Sequence, residues 1–456
     1  MSPTNDGDEL ADHEVSDSDV SQPRPPLEQL LDAADRGDVE MVRDVLDADP
    51  TLLNERGLLH GHTGLRTALH FAVNGPHEDV VALLLDRGAD PNIRDEGDDV
   101  YALHFAAEKG GLAVVRLLVE HGADTIGAGT FHALNVLGWA TVFGDGHPEL
   151  VEYLLEHGAQ HTIESAVASG HVEVIRGLVG ASPELLHARL DATSKRRTPL
   201  HLAVVTRQFQ SLATLLELGA DSDAVDAANL TPLDQAALSG DVEMVELLLE
   251  AGATVQLPAA VALEYVDDVE ALLAADPTLL HPGERYGALL TQACERASGD
   301  IVRLLVAAGA NVNTPASAET AIDGAAGYTA LHAAAFFGNT SAVDALLEAG
   351  ADVRAREQRH GGTPAGWARY AGHSDVCGRI LAGDIDIFDA IEFDQLDRIA
   401  FIIEADPDAL TRPFDEYVSW TLGESTDTYS AGTTPLDAAI QHERTEAERI
   451  LRSLGA

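Results

Sequence analysis

The chain is poor in lysine, and this shortage argues against one class of partner. Lysine and arginine together number 28 against 76 acidic residues, and the only lysines are Lys109 and Lys195. Binding to nucleic acid relies on clustered lysine and arginine side chains that neutralise phosphates. The densest basic cluster in the sequence is the short run at residues 195–197. We therefore expect no nucleic-acid partner.

Cysteine and long apolar runs are also scarce. Cys294 and Cys377 stand far apart, and neither has CxxC or paired Cys/His spacing. This usage is typical of a reducing cytoplasm and predicts neither a disulfide framework nor a structural zinc. No apolar run reaches about 18 residues, and the amino terminus has no basic-then-apolar segment. We expect a cytoplasmic protein with no membrane partner.

Acidic residues, in contrast, are abundant along the whole chain, and the formal net charge is −48. Two explanations compete for this charge. An acidic surface steers the approach of a basic partner, whereas diffuse carboxylates with almost no lysine resemble the proteins of extreme halophiles. We favour adaptation to a salt-rich cytoplasm, because at molar salt the screening length falls to about 3 Å and the self-repulsion of the chain largely disappears.

The salt interpretation predicts that the folded state depends on KCl. The helical circular dichroism signal and cooperative unfolding should be lost in dilute buffer and recovered as KCl approaches about 1 M, because added salt screens the repulsion between carboxylates. A titration of the purified chain with KCl, followed by circular dichroism, measures this directly. A chain that is fully folded in dilute buffer would contradict the interpretation.

A repeated pattern organises most of the sequence. T-P-L-H-L-A at residues 198–203 recurs as T-P-L-D-Q-A at residues 231–236, an offset of 231 − 198 = 33. Related starts occur near residues 67, 101, 329, 363 and 434. Each unit then passes through a turn into a second apolar stretch, and many end in G-A-D or G-A-N, as at residues 88–90 and 309–311. Threonine caps a helix, proline is tolerated at its first position, and glycine can end it.

This pattern resembles the ankyrin repeat, with its T-P-L-H-x-A and G-A-D signatures. The resemblance extends over residues 27–456 and implies an all-α solenoid of about thirteen helix-turn-helix units, several of them degenerate. Residues 1–26 are rich in acidic residues, serine and proline, and we expect a disordered acidic leader there. Long inter-repeat loops are expected at residues 125–134, 187–197, 311–327, 353–362 and 411–433.

The degenerate units indicate an internal duplication. Their second helices end in proline-containing stops, and those stops recur at offsets of 277 − 50 = 227 and 407 − 183 = 224. The tripeptide Gly-Trp-Ala recurs at 366 − 138 = 228. We infer a first block of about six repeats at residues 27–225, an intervening repeat at 226–256 and a duplicated block at 257–456.

Motifs for catalysis are absent from the sequence. It has no P-loop, H-E-x-x-H or G-x-S-x-G pattern, and we predict no cofactor. His70, His104, His201 and His332 occupy the fourth position of the repeat start, where the family resemblance implies a structural hydrogen bond. The less regular pair His60 and His62 leaves open a metal-dependent hydrolase, although a zinc site usually has three or four ligands.

The resemblance also implies where a protein partner would bind. In ankyrin repeats, the ends of the first helices and the loop tips line a concave groove. We predict a non-catalytic protein–protein interaction module that uses this face, and the polar last unit predicts a monomer. A self-associating scaffold is the second alternative. The candidate contact residues are Phe143, Phe336, Phe337, Arg369 and Tyr370, with Tyr417, Trp420 and Tyr429 from the last long insertion. Whether Phe143, Phe336 and Phe337 lie on the surface or in the core is left open.

Overall fold

The computed structural model describes residues 25–59, 64–127, 133–144, 146–190, 195–280, 289–315, 327–357, 359, 361–414, 418–422, 425–429 and 432–456. It divides into two compact units, with the division between Ala220 and Asp221. Each unit is built of short antiparallel helix pairs, as the ankyrin resemblance implies. The boundary places the intervening repeat predicted at residues 226–256 in the second unit.

The first unit contains helices α1 to α12, in which odd-numbered helices pack beside odd-numbered ones and even beside even. Helix α7 is short and continues into a π-helical turn at Trp139–Phe143. The helices are α1 Pro26–Arg36, α2 Val39–Ala48, α3 Ala68–Asn74, α4 Glu78–Asp86, α5 Ala102–Glu108, α6 Leu112–Glu120, α7 Val136–Gly138, α8 Pro148–Glu156, α9 Ile163–Ala168, α10 Val172–Ala181, α11 Pro199–Val205 and α12 Phe209–Glu217.

The second unit contains helices α13 to α26 and, in the residues described, one pair of strands. The helices are α13 Pro232–Ser239, α14 Val242–Glu250, α15 Leu257–Ala262, α16 Val266–Ala275, α17 Leu289–Arg296, α18 Gly299–Ala307, α19 Ala330–Phe336, α20 Thr340–Glu348, α21 Pro364–Tyr370, α22 Ser374–Leu381, α23 Ile387–Glu392, α24 Leu396–Ala405, α25 Pro435–Gln441 and α26 Thr445–Leu454. Strands β1 Val418–Leu422 and β2 Ser425–Tyr429 form an antiparallel hairpin between α24 and α25.

Local sequence chemistry sets the helix boundaries. Threonine precedes the first helix of many pairs in extended conformation, as Thr198 does before α11 and Thr231 before α13. Many second helices end at glycines with positive φ, a backbone conformation that residues with a Cβ rarely adopt. These glycines are Gly88, Gly122, Gly158, Gly219, Gly252, Gly309 and Gly350. Three of the proline-containing stops instead form 3-10 turns, at Pro50–Asn54, Pro183–His187 and Pro407–Leu410.

The histidine of the repeat start closes a capping box. At α19, the backbone N–H of Thr329 donates to Nδ1 of His332 at 3.1 Å, and Nε2 lies 3.0 Å from the carbonyl oxygen of Gly362 in the next repeat. Because a backbone N–H can only donate, Nδ1 must accept, and Nε2 carries the proton that is donated to Gly362. The ring is therefore neutral and links one repeat to the next. The structural role that the resemblance implied for this histidine is confirmed.

At α13 and α25 an aspartate closes the capping box in place of histidine. In α13, Oδ2 of Asp234 accepts from the backbone N–H of Thr231 at 2.9 Å, and Oδ1 accepts from the backbone N–H of Ala259 at 3.0 Å. The following repeat presents a backbone donor at this point instead of a carbonyl. A residue that only accepts therefore replaces one that also donates.

Gly338, in the turn between α19 and α20, offers a test of this packing. Gly338→Ala should strain the backbone, because φ is +70° there, and the new Cβ would lie 2.6 Å from the His373 ring. The matched control is Gly372→Ala, in the next turn, where φ is +83° and nothing lies within 4 Å of the Cβ position. Both should lose about 1–2 kcal/mol to strain, and Gly338→Ala a further 1–3 kcal/mol, roughly, to overpacking. Equal losses in urea unfolding would show that His373 moves aside freely.

Candidate functional site

Aromatic side chains at the ends of two neighbouring first helices form a continuous cluster. Phe336 and Phe337 end α19, and Trp367 and Tyr370 lie on α21, which packs beside it. Ring centroids are 5.2 Å apart for Phe336–Phe337, 5.5 Å for Phe336–Trp367 and 6.0 Å for Trp367–Tyr370, all with edge-to-face geometry. We call these four residues the aromatic row. Such ring pairs stabilise one another beyond the area they bury.

The row has a buried base and an exposed edge. Trp367 is 4% exposed and belongs to the hydrophobic core of the second unit, and Phe336 is half-buried against it. Phe337 and Tyr370 are 41% and 54% exposed. The sequence left open whether Phe336 and Phe337 lie on the surface or in the core. In the structure Phe336 packs inward, whereas Phe337 remains at the surface.

Arg369 is held at the surface beside the row. Its guanidinium lies 5.3 Å from the ring centroid of Phe393 and 3.7 Å from a carboxylate oxygen of Glu392. Both partners lie at the end of α23. Since planar guanidinium groups stack on aromatic rings and pair with carboxylates, Arg369 extends the polar border of the row towards the next repeat.

A half-buried acid lies on the other side of the row. Glu295, on α17, has no hydrogen bond or ion pair in the part of the chain that the structure describes. Burial raises the pKa of its carboxyl group, and neighbouring Arg296 opposes that shift. Tyr328, which is 1% exposed and lies 5.9 Å from Trp367, has its pKa raised by burial and by the charge of Glu295. The Glu295 carboxylate is therefore close enough to Tyr328, which packs on Trp367, for its charge to raise the pKa of that tyrosine.

Phe143 belongs to a separate aromatic cluster in the first unit. Its ring lies 5.2 Å from Trp139, and Trp139 contacts Phe105 at 5.6 Å and His104 at 5.8 Å. Phe143 is half-buried against the core of the first unit. Trp139, from the first copy of the Gly-Trp-Ala tripeptide, belongs to this cluster, and Trp367, from the second copy, belongs to the aromatic row. Both tryptophans are buried in the core of their unit.

The remaining predicted contact residues lie in the last insertion. Trp420 is in β1 and Tyr429 in β2, and the register pairs Val418 with Tyr429 and Trp420 with Asp427. Tyr417 lies outside the described residues. The insertion, predicted as a long inter-repeat loop at residues 411–433, thus contains a pair of antiparallel β-strands.

The histidines proposed as metal ligands, His60 and His62, lie outside the described residues. Within the residues that are described, no group of three or more histidine, cysteine, aspartate or glutamate side chains could hold a metal ion. The described helices also include none that is long and apolar enough to cross a membrane.

Two important residues were missed by reasoning from the sequence. Trp367 was noted only as part of a duplicated tripeptide, although that recurrence in an aromatic-poor chain was a usable signal. Glu295 could not be singled out among 76 acidic residues, because only the packing of α17 distinguishes it from the solvated ones.

Stacked short helix pairs, capped by threonine and histidine and ended by glycine, define a helical repeat protein. The family model described as "Ankyrin repeats (3 copies)" matches residues 30–126, 69–165, 163–259, 257–357 and 290–391. The chain therefore belongs to the ankyrin-repeat family. Ankyrin repeats are generally protein–protein interaction modules.

Similar proteins share these repeats, and two of them are much longer than this chain. The chain is 29% identical over 257 residues to "Ankyrin repeat protein nuc-2" of Neurospora crassa, covering 54% of this chain and 20% of that protein. It is 26% identical over 286 residues to "E3 ubiquitin-protein ligase KEG" of Arabidopsis thaliana, covering 61% of this chain and 16% of that one. The crystal structure of the human ASB11 ankyrin repeat domain is 29% identical, covers 42% of this chain and 86% of its own, and has a TM-score of 0.31. The chain thus spans a fifth or less of these two curated relatives.

Proposed function

We propose that the chain is a non-catalytic binding protein that recognises a protein partner on the concave face of its repeats, with the aromatic row as the main contact. The observation that carries this proposal is the exposure of Phe337 and Tyr370 at 41% and 54% above a packed base. Large aromatic side chains at the surface call for an explanation more than small ones do. Aromatic residues and arginine also dominate the binding energy of protein interfaces.

The row is suited to binding because its anchors are already ordered. Phe337 is fixed against Phe336, and Tyr370 stacks at 6.4 Å from Phe336 with an interplanar angle of 19°. A partner that covers these rings would lose little of its binding energy to ordering them. Arg369, with its carboxylate and aromatic neighbours, supplies a polar border of the kind that surrounds interface hot spots.

Further features support a monomer in a reducing compartment. Helix α26 buries only Ala447 and Leu451 among its residues, so most of its polar side chains lie outside the core, which favours a monomer over a self-associating scaffold. Cys294 and Cys377 are both free and buried, which favours a cytoplasmic setting over an oxidising one. The hairpin β1–β2, with Trp420 and Tyr429, is proposed as a second contact element.

The test is affinity capture from a native lysate in about 1 M KCl, the salt at which surface charge is screened. Wild-type chain is compared with the double variant Phe337→Ala/Tyr370→Ala, which spares the half-buried Phe336 and the buried Trp367. Phe209→Ala is the matched control, because Phe209 is 42% exposed but lies on α12 in the other unit. Each hot-spot aromatic contributes about 2 kcal/mol or more, so the double variant should lose a partner that wild type and Phe209→Ala retain. A partner retained equally by all three would contradict the proposal.

A further inference from the structure

A cavity of about 340 Å³ opens between the ends of three first helices of the second unit, next to the aromatic row. Its wall is formed by α13, α15 and α17, with polar and apolar surface in similar amounts, and Glu295 is the one carboxylate among its lining residues. The lining residues that matter for its chemistry are Leu238, Val261, Gln292, Glu295 and Arg296. The volume lies at the lower end of the range for ligand pockets, about 300–1,000 Å³, and suits a single long side chain of a larger partner.

The carboxylate of Glu295 is the unsatisfied group in this cavity. It is half-buried, and in the described part of the chain it neither accepts a hydrogen bond nor forms an ion pair. A buried charge without a partner is costly and is normally compensated by a cation or by hydrogen-bond donors. The free protein thus presents an acceptor for which a binding partner can supply the donor.

Arg296 does not fill that role. It is exposed, it forms no ion pair with Glu295 within 4.0 Å, and its guanidinium extends towards α13. Its Nη1 atom lies 3.3 Å from the position that a Cβ would occupy at Gly240. The guanidinium therefore borders the mouth of the cavity and leaves the Glu295 carboxylate available.

Apart from Arg296 at the mouth, the charged groups around the cavity are acidic and favour a cationic occupant. The turn after α15 carries the exposed Glu264, and α16 begins with the exposed Asp267 and Asp268. The chain as a whole has a formal net charge of −48. Fields of one sign raise the local concentration of oppositely charged ligands, so a lysine or arginine side chain fits both the cavity and its surroundings.

The cavity and the aromatic row are close enough to be used by one peptide segment. Helix α17 packs directly beside α19. Packed helices lie about 8–10 Å apart, and an extended chain rises about 3.3 Å per residue. Because side chains on one face of an extended chain recur every second residue, a side chain placed in the cavity and one placed over Phe337 are expected to be two or four residues apart.

We propose that the cavity beside Glu295 receives a lysine or arginine side chain of a partner whose large apolar side chain, two or four residues away, covers the aromatic row. This inference rests on the proposed function and narrows the partner to an extended segment that combines one basic and one bulky apolar anchor. The basic anchor supplies charge-assisted hydrogen bonds to Glu295, and the apolar anchor packs on Phe337 and Tyr370.

The experiment is selection of a displayed library of random 12-residue peptides on the full chain, at the lowest KCl at which circular dichroism reports it folded. Synthetic copies of the enriched peptides are then measured against wild type, Glu295→Gln and Phe337→Ala/Tyr370→Ala. Glu264→Gln is the matched control, because it removes an equal charge from an exposed position outside the lining of the cavity. Circular dichroism confirms that each variant is folded, and Glu295→Gln preserves the shape of the side chain.

The proposal expects enriched peptides with lysine or arginine two or four residues from tryptophan, phenylalanine or leucine. Glu295→Gln should weaken these peptides about 10-fold or more, whereas Glu264→Gln should change binding by less than about 3-fold, because pairs that are shielded from water contribute far more than exposed ones. Peptides that lack a basic residue, or that bind Glu295→Gln as they bind wild type, would overturn the inference while leaving the proposed function standing, provided Phe337→Ala/Tyr370→Ala still abolishes binding. If no peptide is enriched, or if the enriched peptides bind the Phe337→Ala/Tyr370→Ala variant as tightly as wild type, the proposed function fails as well.

Discussion

Acidification from about pH 7 to about pH 4.5 is expected to remove about 2 kcal/mol of unfolding free energy for each buried capping histidine. Burial lowers the pKa of His70, His104 and His332 to about 4, from 6.5 for an exposed imidazole. All three are 1% exposed or less. Their neutral rings contribute stability that is fully present above pH 6.5, and this stability is lost as the pH falls towards about 4.

The structural reason is the direction of the hydrogen bonds. Protonation of His332 would place a second proton on Nδ1, which faces the backbone N–H of Thr329 at 3.1 Å. Two donors would then oppose each other in a buried site, and the cap of α19 would be lost. The unfolded chain binds the proton freely, so proton binding favours unfolding.

The measurement is urea unfolding of wild type and His332→Gln at a series of pH values in constant KCl. Glutamine at this position can still cap the helix, but it does not titrate. The variant should be less stable than wild type near neutral pH, and the difference should shrink by about 2 kcal/mol by about pH 4.5. Because protonation of surface carboxylates affects both chains equally, only the difference between them is informative. If the unfolding free energies of wild type and His332→Gln changed in parallel with pH, the assignment of a neutral, buried His332 would be contradicted.

Trp367→Ala is expected to destabilise the second unit by about 3–5 kcal/mol, the usual loss for a large aromatic residue removed from a core. The indole contacts Tyr328, Phe336 and Tyr370, so the substitution leaves a cavity beneath Phe336 and Tyr370. Trp367→Phe should lose less, about 1–2 kcal/mol, because it retains an aromatic ring in the same place. Urea unfolding gives both values, and a loss below about 1 kcal/mol for Trp367→Ala would mean that Trp367 does not support the row.

Trp139→Ala provides the internal comparison in the first unit. Trp139 is 3% exposed and contacts His104, Phe105 and Phe143. A loss of similar size, about 3–5 kcal/mol, is expected there for the same reason. Since Phe337 and Tyr370 are not touched by this change, Trp139→Ala should leave partner binding at the row intact wherever the chain remains folded.

The fold was predictable because its determinants are local and repeated. Thr198 and Thr231 cap helices through their own side chains, and glycines such as Gly88 and Gly309 end helices through their own backbone freedom. Each of these signals acts within a few residues, and repetition along the chain separates them from chance matches. The hairpin of residues 418–429 was not predicted, since Val418–Leu422 and Ser425–Tyr429 lie in an insertion that has no counterpart in the repeat pattern.

The candidate site was only partly predictable, because it depends on contacts between repeats. The register of the repeat placed Phe336, Phe337, Arg369 and Tyr370 at the ends of first helices, and the structure gathers them on α19 and α21. The register of the repeat did not reveal that Phe336 packs on Trp367 while Phe337 is exposed, because the burial of adjacent residues at a helix end depends on the side chains that pack around them. The sequence also gave no means of distinguishing the half-buried Glu295 from the acidic residues that are exposed to solvent.

The central claim is that a protein partner covers the aromatic row, and site-specific photo-crosslinking tests it most directly. A photoreactive phenylalanine analogue is placed at Tyr370, or at Phe209 as the control, and each chain is irradiated in native lysate with competing unlabelled chain. We predict a crosslinked partner from Tyr370 alone, which excess wild-type chain displaces and excess Phe337→Ala/Tyr370→Ala chain does not. Crosslinking of the same proteins from Tyr370 and Phe209, or equal displacement by both competitors, would contradict the account.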